Sequence, residues 1–274
     1  MTTALRHPSA ALAPFVKAVW YVEDDLPPAR ERKLPTGEMQ IVVNLTEDEL
    51  RWYGGTRLDQ PRSTHGAGLC GVLAGPVGID TAEQRRVLGI SFRPGGTLPF
   101  FSAPARSLTE PVIGLDALWG RAGQTLRERL LEHRSPAAML AAMESVLLDR
   151  VVGSLRPDPA LLAAAAALSS GNPVGGVADA LGTTRSTFTR RFRHGIGLAP
   201  KPFARIRRLQ RVIGSLRRPE PAPGAAVDWA EMAARHGFFD QAHLINDFRS
   251  LTGLTPAAYE PRSGTAPNHV PLSA

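Results

Sequence analysis

Apolar residues recur at helical spacing in two similar stretches of the C-terminal half, Val177–Phe203 and Met232–Tyr259. Each stretch combines a short helix of small apolar residues, a glycine, and a second helix with three apolar residues on one face. The aligned positions are Gly182 and Gly237, Phe188 and Leu244, Phe192 and Phe248, Pro200 and Pro256, and Phe203 and Tyr259. A glycine at the end of a helix accepts left-handed backbone at little cost. The repeat predicts two helix-turn-helix units, with second helices at about 184–196 and 240–252.

Polar residues at the start of each second helix support this interpretation. Thr183 and Thr184 in the first copy and Asp240 in the second can accept hydrogen bonds from the first amides of a helix. Between the copies, the spacing of apolar residues predicts a connecting helix over Pro200–Arg218, followed by a surface loop at Pro219–Gly224. Its arginines are expected on a solvent-exposed face: Arg205, Arg207, Arg208 and Arg211.

The N-terminal half has a different pattern. Short runs of β-branched and aromatic residues, separated by glycine and proline turns, predict strands at Phe15–Val22, Met39–Leu45, Leu50–Tyr53, Leu69–Ala74 and Val87–Phe92. Helices follow at Leu115–His133 and after the cap Ser135-Pro136. The fold class is therefore α+β: a β-rich small barrel or sandwich, cupin-like, with trailing helices, and then an all-α domain. We expect domains at 1–153 and 157–262 and a disordered tail at 263–274.

The net charge of +7 is concentrated in the C-terminal half. Between Ala180 and Arg218 there are eleven basic residues and no acidic one. A charge run is usually only a solvated surface, but here it coincides with the helix-turn-helix pattern. Together they indicate a protein that binds nucleic acid.

No catalytic constellation can be found in the sequence. The single cysteine, Cys70, excludes internal disulfides and a cysteine-based metal site, and the seven histidines are scattered. Neither a nucleotide-binding lysine loop nor a nucleophile elbow is present. We expect no enzymatic activity, no cofactor and no metal. Because no apolar run is long enough for a membrane span, we expect a soluble cytoplasmic protein.

The doubled helix-turn-helix, which ends in GFFDQAHLINDFRSLTGLTPAAY, resembles the DNA-binding domain of AraC/XylS-type transcriptional regulators. The stretches LAPFVKAVWYVE, LPTGEMQIVVNL and LGISFRPGGTLPFF resemble the N-terminal domain of a bacterial subgroup of these regulators. The resemblance implies a sequence-specific activator or repressor that associates with the nucleoid and binds a non-palindromic operator. It also implies three further partners: RNA polymerase, an unidentified small-molecule effector, and a second copy in a homodimer.

The resemblance also implies which residues face DNA. Base contacts are expected from Ser186, Thr189, Arg190, Gln241, Ala242, His243 and Asn246. Phosphate contacts are expected from Arg185, Arg191, Arg193 and Arg249. Because Asp247 adds an acid to the second copy, the first copy is expected to supply most of the affinity.

Two alternatives remain open. An enzyme with a DNA-targeting module would need His, Asp and Glu clustered on the predicted strands, and the sequence has no such cluster. An architectural or RNA-binding protein would use the basic surface without reading bases. This second alternative predicts binding with a steep salt dependence and no sequence preference.

Overall fold

The computed structural model describes residues 1–55, 57–108, 110–217 and 227–272. The strands are Thr2–Arg6 (β1), Val16–Glu23 (β2), Arg30–Lys33 (β3), Gln40–Asn44 (β4), Leu50–Gly54 (β5), Gln60–Thr64 (β6), Ala67–Cys70 (β7), Val77–Asp80 (β8), Arg86–Phe92 (β9), Val112–Gly114 (β10) and His269–Pro271 (β11). The helices are Leu115–Trp119 (α1), Arg121–Gln124 (α2), Leu126–Leu131 (α3), Pro136–Asp149 (α4), Pro159–Ser170 (α5), Val174–Ala180 (α6), Arg185–Ile196 (α7), Pro200–Leu216 (α8), Trp229–Arg235 (α9) and Gln241–Thr252 (α10). The five predicted strand regions therefore correspond to β2, β4, β5, β7 and β9.

The strands form two sheets. One has the order β1-β2-β9-β4-β7-β10, and the other has the order β11-β3-β8-β5-β6. All recorded pairings are antiparallel. Within the described residues both sheets remain open, so the N-terminal domain is a two-sheet sandwich and not a closed barrel.

The main core of this domain lies on the helix-covered face of the six-stranded sheet. Strand side chains alternate between faces, and β2, β4 and β9 send Val19, Tyr21, Ile41, Val43 and Ile90 to this side, where they are buried. Met143 and Leu147 of α4 belong to the same cluster. Ser135 caps α4 by accepting a hydrogen bond from the amide of Ala138, as predicted.

The single helix predicted over Leu115–His133 is wrong in detail. The chain forms three short helices there, α1, α2 and α3. Gly120 interrupts the pattern with φ +59° and ψ −134°, a conformation that no helix contains and that side chains other than glycine disfavour.

The C-terminal domain is built around α8. The aromatic ring of Phe203 near its start packs with Phe188 and Phe192 of α7 and with α5 and α6. Farther along, Leu209 and Val212 pack with Leu244 and Phe248 of α10. One helix therefore supplies part of the core of both helix-turn-helix units, as expected of a rigid connection.

Each turn has the predicted local structure. Gly182 and Gly237 have φ angles of +61° and +72°. Thr184 accepts a hydrogen bond from the amide of Thr187 at 3.2 Å, and Asp240 accepts one from His243 at 2.7 Å. The loop predicted at Pro219–Gly224 lies outside the described residues.

The prediction of a disordered tail is wrong for residues 263–272. His269–Pro271 forms β11, which pairs with β3. Val270 is buried together with Leu34 in the core of the second helix-turn-helix unit. Burial of Val270 and pairing of β11 with β3 compensate the conformational entropy that the tail loses when it becomes ordered. The composition of the tail alone does not indicate either contact.

Candidate nucleic-acid interface

The outward face of α7 carries the base-contact residues predicted for the first copy. Phe188 and Phe192 are buried on the inner face. On the outer side Ser186 and Arg190 are exposed, and Thr189 is half-buried. A recognition helix places residues near its N-terminus on base edges, and these three positions lie in the first half of α7.

Arginines surround this face. Arg185, Arg191 and Arg193 are all exposed. Arg191 lies 3.7 Å from Asp158, the N-cap of α5, across an exposed contact. For Arg185 and Arg193, no acidic partner lies within 4 Å among the described residues, so their charge is available to phosphates.

In α10, the predicted residues Gln241, Ala242, Asn246 and Arg249 are exposed on the side opposite Leu244 and Phe248. The amide side chains of Gln241 and Asn246 suit the edge of adenine, to which they can both donate and accept a hydrogen bond.

His243 differs from its neighbours on α10. Its Nδ1 accepts a hydrogen bond from the amide of Phe239 at 3.2 Å, and its ring packs edge-on against Phe238 at 5.3 Å. With Nδ1 occupied, the neutral ring carries its proton on Nε2, which lies 3.9 Å from Asp247. The side chain lies against the turn, so a base contact would have to come from its partly exposed edge.

Asp247 is neutralised by two arginines of α8. Its Oδ1 accepts from Arg205 at 2.8 Å, and its Oδ2 accepts from Arg208 at 3.1 Å. The carboxylate is only 13% exposed. Asp247 therefore connects α10 to α8 and does not present an acid to DNA. The expectation that the charge of Asp247 weakens DNA binding by the second copy loses its basis.

The predicted solvent-exposed arginine face of α8 is wrong, because all four arginines are partly buried and bonded. Arg207 donates to the backbone oxygen of Thr36 in the N-terminal domain at 3.0 Å. Arg211 donates to the backbone oxygen of Ser169. Burial, followed by the charges of Arg208 and Arg207, lowers the pKa of Arg211. These cations stabilise the contacts between helices and domains.

Two exposed residues beside the interface were not predicted. Arg106, in the short helical turn Ala105–Ser107 of the N-terminal domain, lines an open groove together with Arg185 and Arg190 of α7. Phe239 is 92% exposed directly before α10. An aromatic residue inside a turn is a sequence signal that could have identified Phe239. Arg106 could not have been found, because it lies far from α7 in the sequence.

Two further features are absent from the described residues. No three or more His, Cys, Asp or Glu side chains there are grouped so that they could hold a metal ion. None of the described helices is both long and apolar enough to cross a membrane.

Two protein families match the chain. Residues 177–262 match a family described as a helix-turn-helix domain, and residues 5–114 match a domain of unknown function, DUF6597. No curated protein matches the chain significantly.

Among solved structures, the chain is similar to ToxT from Vibrio cholerae. An apo variant of ToxT gives a TM-score of 0.47 at 9% identity, with 93% of this chain and 98% of that chain covered. ToxT bound to (E)-4-(8-methylnaphthalen-1-yl)but-3-enoic acid gives 0.47 at 10% identity, with 88% and 96% covered.

The matched helix-turn-helix region contains the doubled motif. Both copies have the same glycine turn, the same side-chain cap and an exposed polar face on the second helix. An N-terminal β-rich domain precedes them. The chain contains a helix-turn-helix domain of the matched family, and its two-domain organisation fits an AraC/XylS-type transcription regulator.

Proposed function

We propose that this protein recognises a specific, non-palindromic DNA operator with both helix-turn-helix units. In this proposal, α7 and α10 enter successive major grooves, about 34 Å apart on one face of the duplex. The proposal rests on one observation, the exposed polar faces of α7 and α10. In each helix this face lies opposite the buried aromatic residue, Phe192 in α7 and Phe248 in α10.

Side-chain chemistry suggests how each helix would contribute. Arg190 would bind a guanine edge with two hydrogen bonds, a contact that contributes about 1–3 kcal/mol of discrimination. Ser186 and Thr189 would contact neighbouring bases. In α10, Gln241, Ala242, His243 and Asn246 would read the second half-site. Arg185, Arg191, Arg193 and Arg249 would bind phosphates and set the register.

The N-terminal domain would add regulation. We propose a sensor domain at 1–153 and a DNA-binding domain at 157–262, in a protein that acts in the cytoplasm on the nucleoid. A small molecule or a second copy of the chain would bias the arrangement of the DNA-binding domain. RNA polymerase would be the partner in transcription.

The experiment is a selection from random duplex DNA with the full chain, followed by titration of the selected duplex and a scrambled duplex at two salt concentrations. We expect a two-part motif spaced by about one helical turn and preferred by ~10³ or more. Equal affinity for both duplexes, without an enriched motif, would replace this proposal with that of a non-specific or architectural nucleic-acid-binding protein.

A further inference from the structure

The space between the two sheets is a cavity of about 330 Å³. On the face of the six-stranded sheet opposite to the main core, side chains such as Trp20, Val42 and Val87 line this cavity. Leu50, Val77 and Ile79 of the five-stranded sheet form the opposite apolar wall. A sandwich normally fills this space with interdigitated side chains. An inner apolar space of this size can hold a small organic molecule.

One glycine of the six-stranded sheet, Gly89 in β9, shapes this cavity. A Cβ atom at Gly89 would lie 2.4 Å from Cζ2 of Trp20, so only glycine lets the indole lie flat on the sheet. The indole Nε1 donates to the hydroxyl of Ser91 at 3.1 Å, which fixes the orientation of the ring. The result is a flat aromatic wall.

One polar group in the wall lacks a partner. The side chain of Glu83 is only 7% exposed. Its Oε2 accepts from the backbone amide of Arg51 at 2.7 Å, but its Oε1 has no hydrogen-bond partner among the described residues. The nearest cation, Nη1 of Arg51, is 3.9 Å away and bonds instead to Asp80 at 3.3 Å. A buried acceptor without a donor costs about 1–3 kcal/mol, which a ligand with a donor group would recover.

The C-terminal tail, residues 261–272, covers this cavity. Thr265, Ala266, Pro267, Asn268 and His269 line it. The tail is held by strand pairing between β11 and β3 and by the buried carboxylate of Glu31, which accepts from Arg262 at 2.9 Å and lies 3.1 Å from His269 Nδ1. A ligand in the cavity would therefore contact the tail as well as the two sheets.

The same tail contacts the helix that connects the two helix-turn-helix units. Gln210 of α8 donates to the side chain of Asn268 and to the backbone oxygen of Pro35, each at 2.8 Å. Asn268 thus touches the cavity on one side and α8 on the other. This contact is a physical route by which occupancy of the cavity can bias the DNA-binding domain.

We propose that the cavity binds a small, mainly apolar molecule that donates a hydrogen bond to Glu83, and that the C-terminal tail closes over this molecule. Because the docked tail supplies part of the binding wall, the ligand binds more tightly when the tail is docked and in turn stabilises docking. The regulatory consequence rests on the proposed function, whereas the binding step does not.

Binding is tested with three probes that share one apolar chain: octanol, octylamine and octanoate. Calorimetry with the full protein at about pH 8, where Glu83 is mostly ionised, should give saturable binding of octanol and octylamine. Octanoate, which brings an acceptor and a negative charge to Glu83, should bind at least tenfold more weakly. In Glu83→Gln the affinity for octylamine should fall about tenfold, while Glu128→Gln, an exposed acid on α3, should leave it unchanged. Absence of saturable binding by octanol and octylamine, or preference for octanoate, would overturn the proposed ligand chemistry.

The role of the tail is tested by hydrogen exchange of residues 263–272 in the wild-type protein. Octanol should slow exchange there several-fold, and Val270→Asp, which removes the buried anchor of the tail, should weaken octanol binding about tenfold. Unchanged exchange at saturating octanol would overturn the coupling. The DNA selection needs no probe, and octanol binding needs no DNA, so failure of one proposal is distinguishable from failure of the other.

Discussion

Nη1 of Arg106, in the N-terminal domain, lies 2.7 Å from Nδ1 of His194 on α7. A residue of the N-terminal domain therefore lies at the flank of α7. The groove between the turn Ala105–Ser107 and α7 is lined by Arg106, Ser107 and five residues of α7, and none of these residues is acidic. Such a groove attracts phosphate, and the two domains would then share the DNA interface.

The first prediction concerns Arg106→Ala. If Arg106 binds a phosphate next to α7, the substitution should weaken operator binding about three- to tenfold and reduce the slope of log K against log salt by about one. Fluorescence anisotropy at several salt concentrations measures both quantities. Arg121→Ala, at an exposed position of α2, is the control and should change neither. Tighter binding by Arg106→Ala would mean instead that the turn Ala105–Ser107 obstructs α7.

The second prediction concerns Asp247→Ala. The substitution leaves Arg205 and Arg208 partly buried without their carboxylate. Because both arginines retain some solvent exposure, we expect a loss of about 1–3 kcal/mol in the free energy of unfolding. Thermal denaturation measures it, and Glu231→Ala, which breaks an exposed pair with Arg235, should cost less than about 0.5 kcal/mol. DNA affinity should not rise. A gain would show that Asp247 repels DNA after all.

The third prediction ranks the contributions of α7 and α10 to the proposed DNA binding. Arg190 brings a full charge and two parallel donors, whereas Asn246 brings a neutral amide. Arg190→Ala should therefore reduce the affinity for the specific duplex about tenfold more than Asn246→Ala does. Titration of both variants on the selected duplex and on a scrambled duplex separates specific from general losses. Equal specific losses would contradict the ranking.

Local signals made the helix-turn-helix units predictable. Gly182, Thr184 and Asp240 act on neighbouring backbone within a few residues, and each has the structure that its chemistry demands. The repeat then identified which surfaces are exposed. The same local reasoning applied to Gly120 would have predicted the break between α1 and α2, because a glycine inside a helical pattern marks a weak point.

Distant partners made the rest unpredictable. Arg207 is an arginine on the polar side of an amphipathic helix, and only folding places Thr36 next to it. Likewise, the tail has the composition of a disordered segment, yet Arg262 meets Glu31, more than two hundred positions earlier in the chain. Periodicity predicts which residues share a face of one helix, but it does not predict what covers that face.

The fourth prediction concerns the pH dependence of stability. Burial raises the pKa of Glu83 to about 7, against the opposing hydrogen bond and charge of Arg51 and with smaller contributions from Asp80 and Glu49. The folded protein therefore holds this proton more tightly than the unfolded chain, whose glutamate has a pKa near 4.5. The contribution of Glu83 to the free energy of unfolding is fully present below pH 4.5 and is lost as the pH rises through 7.

Glu83→Gln removes this titration while keeping the shape of the side chain. Relative to the wild type, the variant should gain about 1–3 kcal/mol in the free energy of unfolding between about pH 5 and pH 8. Urea denaturation at both pH values measures the difference, and Glu128→Gln provides the exposed control. A constant difference between wild type and Glu83→Gln across this range would mean that Glu83 is ionised throughout. The unpaired Oε1 would then have a donor in solution, such as a water molecule held in the cavity.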